Sequence, residues 1–407
     1  MKLKTKYQYT YFIYPYVVKE NKYDKYILKL LKNENCKVRI FQKEKDLDIY
    51  SYFLPAIRQY MFPTFEFNKN KIKKFEELND NMKSMILSKY PCTIFEYDIG
   101  DNTQGKAGKT EGIFFKIQKI EIICFNTGIC FLSIKTNIEN SDSFSDILDF
   151  NYRFKDINSE FSSFKEYENI KIQTNAFSDS KKFSELINDI TGPITASKQL
   201  NIDTNTFLTF SYTCVDEQNW NNQNDFSNIE DEFLKYLNIL PSSYNSNFNK
   251  CNDILNIVKW KYIKCGFTKL GSTLLASGVD TLNYTRIPQS YENEYLYTYI
   301  LAVYKKIYMK KINLELKTTY RTEKIRKSFI DFTKELWIQE ITNDETGSEM
   351  YDKWKEVLQL TDLYLDTKNK YDIIYKELNI QRSTKLITVI TALLAISVIV
   401  NILNFLK

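Results

Sequence analysis

Residues 386–406 read LITVITALLAISVIVNILNFL, and this stretch has the largest influence on the fold that we expect. It contains no charged residue, and 16 of its 21 residues are apolar. At ~1.5 Å rise per residue, such a helix extends about 31 Å, the thickness of the hydrocarbon core of a bilayer. A buried core helix is the alternative, but it would need a further layer of chain to cover it. We therefore predict a transmembrane helix over residues 386–406.

The residues around this helix predict its placement in the cell. Arg382 and Lys385 precede it, and Lys407 follows it. No other stretch has about 18 uncharged apolar residues in a row, and the first residues, MKLKTKYQYT, lack the apolar segment of a secretory signal. We expect a single-pass, tail-anchored protein of the cell membrane, with the bulk of the chain in the cytoplasm.

The part of the chain before the apolar helix is poor in residues that break helices. Pro288 is the last proline, and Gly347 is the only glycine after Gly278. Glycine and proline are the strongest local breakers of helices, so their scarcity favours helix throughout. We therefore predict a helical stalk over residues 290–385.

One interruption is expected within this helical stalk. Apolar residues keep a helix-like spacing over 290–341, and Thr346 and Glu349 then form a capping-box pattern around Gly347. After that break, residues 348–407 contain neither glycine nor proline. They predict a continuous rod of about 90 Å that enters the membrane and packs against the preceding helix and against sister chains.

The first 285 residues alternate between strand-like and helix-like patterns. An Asn-Thr-Gly turn at 126–128 predicts a β-hairpin. Residues 158–250 are richer in Asn, Ser and Asp, which indicates an insertion. The strand-like runs are 9–18, 37–42, 92–99, 112–126, 129–138 and 207–215, and the helix-like runs are 23–32, 71–89 and 143–157. The predicted fold class is α+β: a mixed α/β cytosolic domain over 1–285, the stalk over 290–385 and one transmembrane helix.

Composition excludes several kinds of chemistry. The chain has 407 residues, a net charge of only +5 and no histidine, which argues against a nucleic-acid binder and removes Ser-His and Cys-His nucleophiles. Seven cysteines without Cys-x-x-Cys spacing favour buried thiols in a reducing compartment. We find no catalytic constellation and expect neither an enzyme nor a bound cofactor, and the sequence leaves metal binding open.

Residues 100–110, GDNTQGKAGKT, are similar to a phosphate-binding loop. Gly100, Gly105 and Lys106 have the required spacing, but Ala107 stands where a magnesium-binding hydroxyl is needed. Such a loop also needs a helix after it, and the next segment is strand-like. We therefore expect a flexible hairpin connection here.

Polar residues on the transmembrane helix form two faces. Thr388 and Thr391 share one face, and Ser397, Asn401 and Asn404 share another, roughly opposite. In lipid, polar groups usually face other helices, so these residues are candidates for helix packing. Lining of a pore in an oligomer is the alternative, and both interpretations require a homo-oligomer.

A basic segment lies within the predicted stalk. Residues 304–327 contain nine basic and two acidic residues. The candidates for contact with anionic lipid or with an acidic ligand or partner are Lys305, Lys306, Lys310, Lys311, Arg321 and Lys324. A solvated helix face, paired with the acidic stretch 331–345, is the structural alternative.

The order of these elements resembles that of CorA-type magnesium channels. It is carried by helical residues 290–341, the break at 346–348 and the rod that runs through 379–385 into residues 386–406. The resemblance implies a homo-oligomer whose stalk helix continues into a membrane span. The Gly-Met-Asn signature and the second span of that family are missing, so no ion-binding residue is carried over. CorA-like proteins without the signature also occur as membrane effectors in antiviral defence.

These features lead to two functional hypotheses. In the first, the cytosolic domain senses a ligand or partner and gates ion flux or membrane permeability through the packing of the spans. In the second, the helix is a non-conducting anchor for a cytosolic binding domain. The partners expected in both cases are the lipid bilayer and further copies of the chain.

Overall fold

A computed structural model describes most of the chain. The described residues are 3–100, 103–107, 112–155, 171–174, 179–192, 206–222, 226–245, 254–255, 257, 260–318, 322–337 and 340–406. Within them, one mixed sheet is packed between helices, and a long apolar helix extends from it. The prediction of a mixed α/β fold with a long apolar C-terminal helix is therefore confirmed.

Twelve strands of the described residues form the sheet. They are β1 (Thr5–Val17), β2 (Cys36–Val38), β3 (Cys92–Tyr97), β4 (Gln104–Ala107), β5 (Ile113–Phe125), β6 (Ile129–Ile138), β7 (Lys171–Gln173), β8 (Lys181–Lys182), β9 (Leu208–Val215), β10 (Ile254–Leu255), β11 (Ile263–Thr268) and β12 (Gly271–Ser277). Their order is β10-β11-β12-β9-β1-β6-β5-β4-β7-β8, and β3 joins β5 and carries β2. The pair β12–β9 is parallel and the other pairs are antiparallel.

The helices cover both faces of this sheet. They are α1 (Tyr23–Leu31), α2 (Leu47–Tyr52), α3 (Pro55–Met61), α4 (Lys69–Glu76), α5 (Asp80–Leu87), α6 (Phe144–Phe154), α7 (Phe183–Thr191), α8 (Ser227–Leu237), α9 (Leu282–Thr285), α10 (Ile287–Ser290), α11 (Leu296–Thr318), α12 (Thr322–Phe332), α13 (Glu345–Val357) and α14 (Leu360–Phe405). Single π-helical turns precede α11 at Tyr291–Tyr295 and follow α12 at Thr333–Trp337. We call the sheet together with α1–α13 the body.

Strand β1 shows why both faces are covered. Successive side chains of a strand point to opposite faces. Tyr9, Tyr11 and Ile13 join the core under α2, α3, α11 and α13, whereas Phe12 and Tyr14 join the core under α1, α6, α7 and α8. Because β1 is apolar on both faces, it must lie near the centre of a sheet that has helices on each side.

The strands at the centre of the sheet include one from the stretch predicted as an insertion. The predicted hairpin at residues 126–128 joins β5 to β6, and Gly128 there has a φ of 83°. Strand β9 comes from the 158–250 stretch, yet it lies between β1 and β12, and all its residues after Leu208 are buried. This stretch therefore contributes to both cores, through Phe210, Tyr212 and Cys214 on one side and Val215 on the other.

Helix α11, which we predicted as part of a stalk, lies across the sheet. Its apolar residues point in all directions and nearly all of them are buried. The ring of Tyr304 stacks on Phe125 of β5, with centroids 3.6 Å apart and an interplanar angle of 9°. A helix that is apolar all round requires cover on several sides. The helical region from 290 to about 360 therefore belongs to the body and not to a projecting stalk.

A break lies close to the predicted one around Gly347, since residues 340–344 are not helical and α13 follows them. Helix α13 begins at Glu345, and the side chain of Asp344 caps it by accepting from the Gly347 amide at 2.8 Å. The predicted rod over residues 348–407 is wrong in its start, because a second interruption lies at Gln359, which has a left-handed φ of 56°. The continuous rod is therefore α14, whose 46 residues extend about 69 Å.

The first turns of α14 are held by aromatic contacts with the helices that precede it. Tyr364 stacks on Trp337 with centroids 4.2 Å apart, and Phe329 of α12 packs against Tyr371 at 4.9 Å. Farther along, the guanidinium of Arg326 lies 4.7 Å from the ring centroid of Tyr375. Beyond Tyr375, every side chain of α14 that is described is exposed. The helix therefore leaves the body as a single rod.

Candidate functional site

The exposed part of α14 is the most unusual surface of the molecule. Its most apolar window has a mean hydropathy of 2.7, and none of that window is buried. Leu386 is 62% exposed and Phe405 is 91% exposed. Soluble monomers rarely expose an apolar patch of this extent. Among the described residues, α14 is the one helix that is long and apolar enough to cross a membrane.

The threonines of this helix bond to their own backbone. Thr388 Oγ1 donates to the Thr384 carbonyl and Thr391 Oγ1 to the Ile387 carbonyl, each at 2.8 Å. Thr384 Oγ1 donates likewise to the Ile380 carbonyl at 2.9 Å. Because each hydroxyl has an acceptor within the helix, this face can lie against lipid without an unsatisfied donor.

The opposite polar face is different. Among the described residues, the side chains of Ser397, Asn401 and Asn404 have no hydrogen-bond partner, and all three are exposed. A carboxamide without a partner costs several kcal/mol in an apolar medium, roughly 2–7 on common reference scales. Polar groups on this face therefore need a partner from outside the chain whenever the helix lies in lipid.

The basic segment divides into groups with different surroundings. Lys305 is 1% exposed, and its Nζ donates to Tyr351 Oη at 2.8 Å. Burial, and then the charge of Lys355, lower the pKa of Lys305 to about 7. At this position Lys305 fastens α11 to α13, so it is not available to a lipid headgroup.

Lys305→Met is expected to remove a pH dependence of stability. The folded pKa of about 7 lies below the unfolded value of about 10.4, so the unfolded state binds more protons between these values and stability rises with pH there. The full range between the two pKa values corresponds to at most about 5 kcal/mol. Urea unfolding at pH 6.5 and 9.5 measures it: the wild type should be more stable at pH 9.5, and the variant should lose most of that difference. Exposed Lys327→Met is the matched control, and an unchanged pH dependence in Lys305→Met would contradict the assignment.

Two further basic candidates are bound to one carboxylate. Lys311 Nζ donates to Glu20 Oε1 and to the Thr127 carbonyl, both at 2.6 Å. Lys324 forms an ion pair with the other oxygen of Glu20. These contacts tie α11 and α12 to the segment that follows β1, and α11 also to the β5–β6 turn. They agree with the structural alternative, in which the basic residues are paired with acids. Arg321 lies outside the described residues.

Lys306 and Lys310 are placed differently from the rest of the segment. Both are half-buried on α11, beside a cavity that also adjoins Lys269 in the turn between β11 and β12. Of the basic residues predicted to contact an anionic ligand, Lys306 and Lys310 are therefore the two that line a cavity.

Sequence reasoning missed a buried carboxylate in the sheet. Glu121 is 1% exposed, and its Oε1 accepts from Tyr297 Oη at 2.9 Å and lies 3.0 Å from Lys119 Nζ and 3.4 Å from Arg39 Nη1. Burial opposes its ionisation, but the charges of Lys119 and Arg39 outweigh burial and lower the pKa of Glu121. The feature of the sequence that could have revealed this site is Glu121 itself, a single acidic residue within the apolar run 120–125 of β5. The network joins α11 to the sheet, which is a structural role.

The described residues show no group of three or more Cys, Asp or Glu side chains that could hold a metal ion. The six cysteines within them are buried with free thiols, and Cys251 lies outside them. Gln104–Ala107, from the loop similar to a phosphate-binding motif, forms strand β4 between β5 and β7. Because this segment is a strand paired on both sides, it does not present the amides of a helix terminus to an anion.

Comparisons of the chain with protein-family models, with curated proteins and with solved structures find no match. The resemblance to CorA-type proteins therefore stays a prediction. Conclusions about function depend on the exposed helix and on the lysines described above.

Proposed function

We propose that this protein is held in a lipid bilayer by residues 386–406 of α14 and associates there with copies of itself. In this proposal the body senses a ligand or partner and changes the packing of the spans, which gates ion flux or membrane permeability. The observation that carries it is the full exposure of an apolar helix that is continuous with a segment packed on the body.

Continuity of α14 supports a coupling between body and membrane. The aromatic contacts of Tyr364 and Tyr371 fix the first turns, and no break follows before Phe405. A rigid helix transmits a change of orientation at its packed end to its far end. A rotation of α14 about Gln359 would therefore move the span as one piece.

The polar face at Ser397, Asn401 and Asn404 supports association of the spans. With Ile387, Ile390 and Leu394 these residues keep alternating spacings of three and four, which is the seam pattern of parallel helix pairs and bundles. Asparagine on such a seam can hydrogen-bond to the same residue of another copy. Interhelical contacts of this kind contribute about 0.6–2 kcal/mol each in membranes.

A non-conducting anchor for the body is the second candidate. It is favoured by the threonines, whose hydroxyls bond within their own helix and so give no continuous polar lining along the span. Measurements of association and of flux distinguish the two candidates.

The test is reconstitution of the purified chain in liposomes, with particle mass and ion flux as readouts. Asn401→Leu with Asn404→Leu should weaken association roughly 8- to 900-fold, because two interhelical hydrogen-bond sites are removed, and it should abolish flux. Ile402→Leu, on another face, is the matched control and should leave mass and flux unchanged. Intact oligomers without flux under any condition would favour the anchor. If the double variant forms the same oligomers as the wild type, the proposal that the spans associate through Ser397, Asn401 and Asn404 is contradicted.

A further inference from the structure

A small cavity of about 200 Å³ lies where α11 crosses the end of the sheet. Three lysines stand around it: Lys306 and Lys310 one turn apart on α11, and Lys269 in the turn between β11 and β12. Its remaining wall is mainly apolar and includes Leu270 and Ile307. The cavity thus combines three ammonium groups with an apolar wall.

None of these three lysines has a hydrogen-bond or ion-pair partner among the described residues, and no carboxylate among those residues lines the cavity. Several buried and half-buried lysines elsewhere in the body are paired with acids, although buried Lys305 is bonded to Tyr351 instead. The pairs are Lys119–Glu121, Lys135–Glu292, Lys235–Asp231 and Lys311–Glu20. At the cavity, by contrast, three lysines stand together and no acid is among the described residues that line it.

The lysines repel one another in the free protein. Burial, and then the charges of Lys310 and Lys269, lower the pKa of Lys306 to about 8. An anion placed among them would remove this repulsion and would accept hydrogen bonds from all three side chains, and charge-assisted bonds of that kind are the strong ones.

We propose that this cavity binds a soluble phosphorylated small molecule, with its phosphate among Lys269, Lys306 and Lys310 and its organic part against the apolar wall. Three ammonium groups match the charge of a phosphomonoester or a diphosphate better than that of a single carboxylate. The volume fits a compact ligand of this class.

The phosphate of a lipid headgroup has the same chemistry, but the position of the cavity favours a soluble ligand. Asn313, one turn beyond Lys310 on α11, donates to Asp366 Oδ2 of α14 at 3.1 Å, so the cavity is near the level of Asp366. From Asp366 to Leu386 the helix rises about 30 Å. The headgroup layer extends only about 5–8 Å beyond the hydrocarbon core. A bilayer around residues 386–406 therefore would not reach the cavity.

The cavity also adjoins the start of the rod. Leu358 lines it, and the next residue, Gln359, is the left-handed junction between α13 and α14. A ligand in contact with Leu358 can favour one orientation of α14. The sensing role of this site rests on the proposed function, because a ligand bound here would be the ligand that the body senses. Binding itself can be measured even in a protein that does not conduct ions.

The experiment is calorimetric titration of the full chain in detergent with inorganic pyrophosphate. Lys306→Met and Lys310→Met should each weaken binding at least tenfold, Lys306→Arg should retain most of the affinity, and Lys25→Met, an exposed residue of α1, should not alter it. At pH 8.5 binding should take up protons, because an anion raises the pKa of Lys306, and titrations in buffers of different ionisation enthalpy measure this uptake.

Absence of pyrophosphate binding, or equal weakening by Lys25→Met, would overturn the proposal. So would binding without proton uptake, because Lys306 would then not be at the site. In a second arm, vesicles of phosphatidylcholine with and without phosphatidic acid compete with pyrophosphate. If only the vesicles that contain phosphatidic acid compete with pyrophosphate, the ligand is a lipid headgroup. That result would overturn the proposal of a soluble ligand. Failure of ion flux with normal pyrophosphate binding would count against the proposed function and not against this site.

Discussion

Ending the chain at Lys385 is expected to move the protein completely from the membrane fraction to the soluble fraction while the body stays folded. The deleted residues make no contact with the body, since the most apolar window of α14 is entirely unburied. The packed turns at 360–375 remain in the shortened chain. We therefore expect the thermal unfolding midpoint of the body to change by no more than about 2 °C, well below the several degrees that ~1 kcal/mol would produce in a small domain.

Flotation on a lipid gradient and alkaline extraction measure the membrane fraction, and scanning calorimetry measures the midpoint. Leu393→Ala with Leu394→Ala is the matched control, because it keeps the helix apolar and should leave the protein in the membrane. Full-length protein that stays monomeric in solution without detergent would contradict the role given to α14. A large fall in the midpoint after truncation would show that the deleted residues cover the body.

The sequence was sufficient for features that depend on local pattern. The apolar run at 386–406 and the hairpin at 126–128 are visible from composition and turn residues alone. The structure has α14 and the β5–β6 hairpin at those places. The conformation of both segments is determined by residues that are close in sequence, so it does not depend on contacts with distant parts of the chain.

Features that depend on distant parts of the chain were not predictable in the same way. Helix α11 was correctly expected to be helical, but its place on the sheet depends on contacts such as Tyr304 with Phe125. The end of α13 is set by the left-handed conformation of Gln359, a residue without a strong preference for it. A search for glycine and proline cannot find such a break.

The same limit applies to the basic segment. All its lysines have the same side chain, and the sequence places them on one or two helices. Whether a given lysine is buried against Tyr351, paired with Glu20 or open beside a cavity is decided by elements elsewhere in the chain. Lys269 in particular is far from Lys306 in sequence, and the turn between β11 and β12 brings it there.

Glu121→Ala is expected to destabilise the body by about 3–5 kcal/mol, the usual cost of removing one partner of a buried ion pair. Arg39 and the hydroxyl of Tyr297 would lose their shared acceptor, and Tyr297 is itself fully buried on α11. Glu96→Ala is the matched control. Glu96 also accepts from Arg39, at 2.8 Å, but its side chain is 46% exposed, so its loss should cost under about 1 kcal/mol. Urea unfolding followed by tryptophan fluorescence measures both.

The pH dependence and a double-mutant cycle test the cause of this effect. Because the pKa of Glu121 is lowered on folding, its contribution is present above the unfolded value of about 4.3 and is lost as pH falls through the folded pKa. The difference between wild type and Glu121→Ala should therefore shrink in acid. If ion pairing is the cause, Arg39→Met should cost clearly less in the Glu121→Ala background than in the wild type, since the uncompensated charge is already present there. Equal costs in the two backgrounds would show that the residues act independently, and the joint between α11 and the sheet would then depend on packing alone.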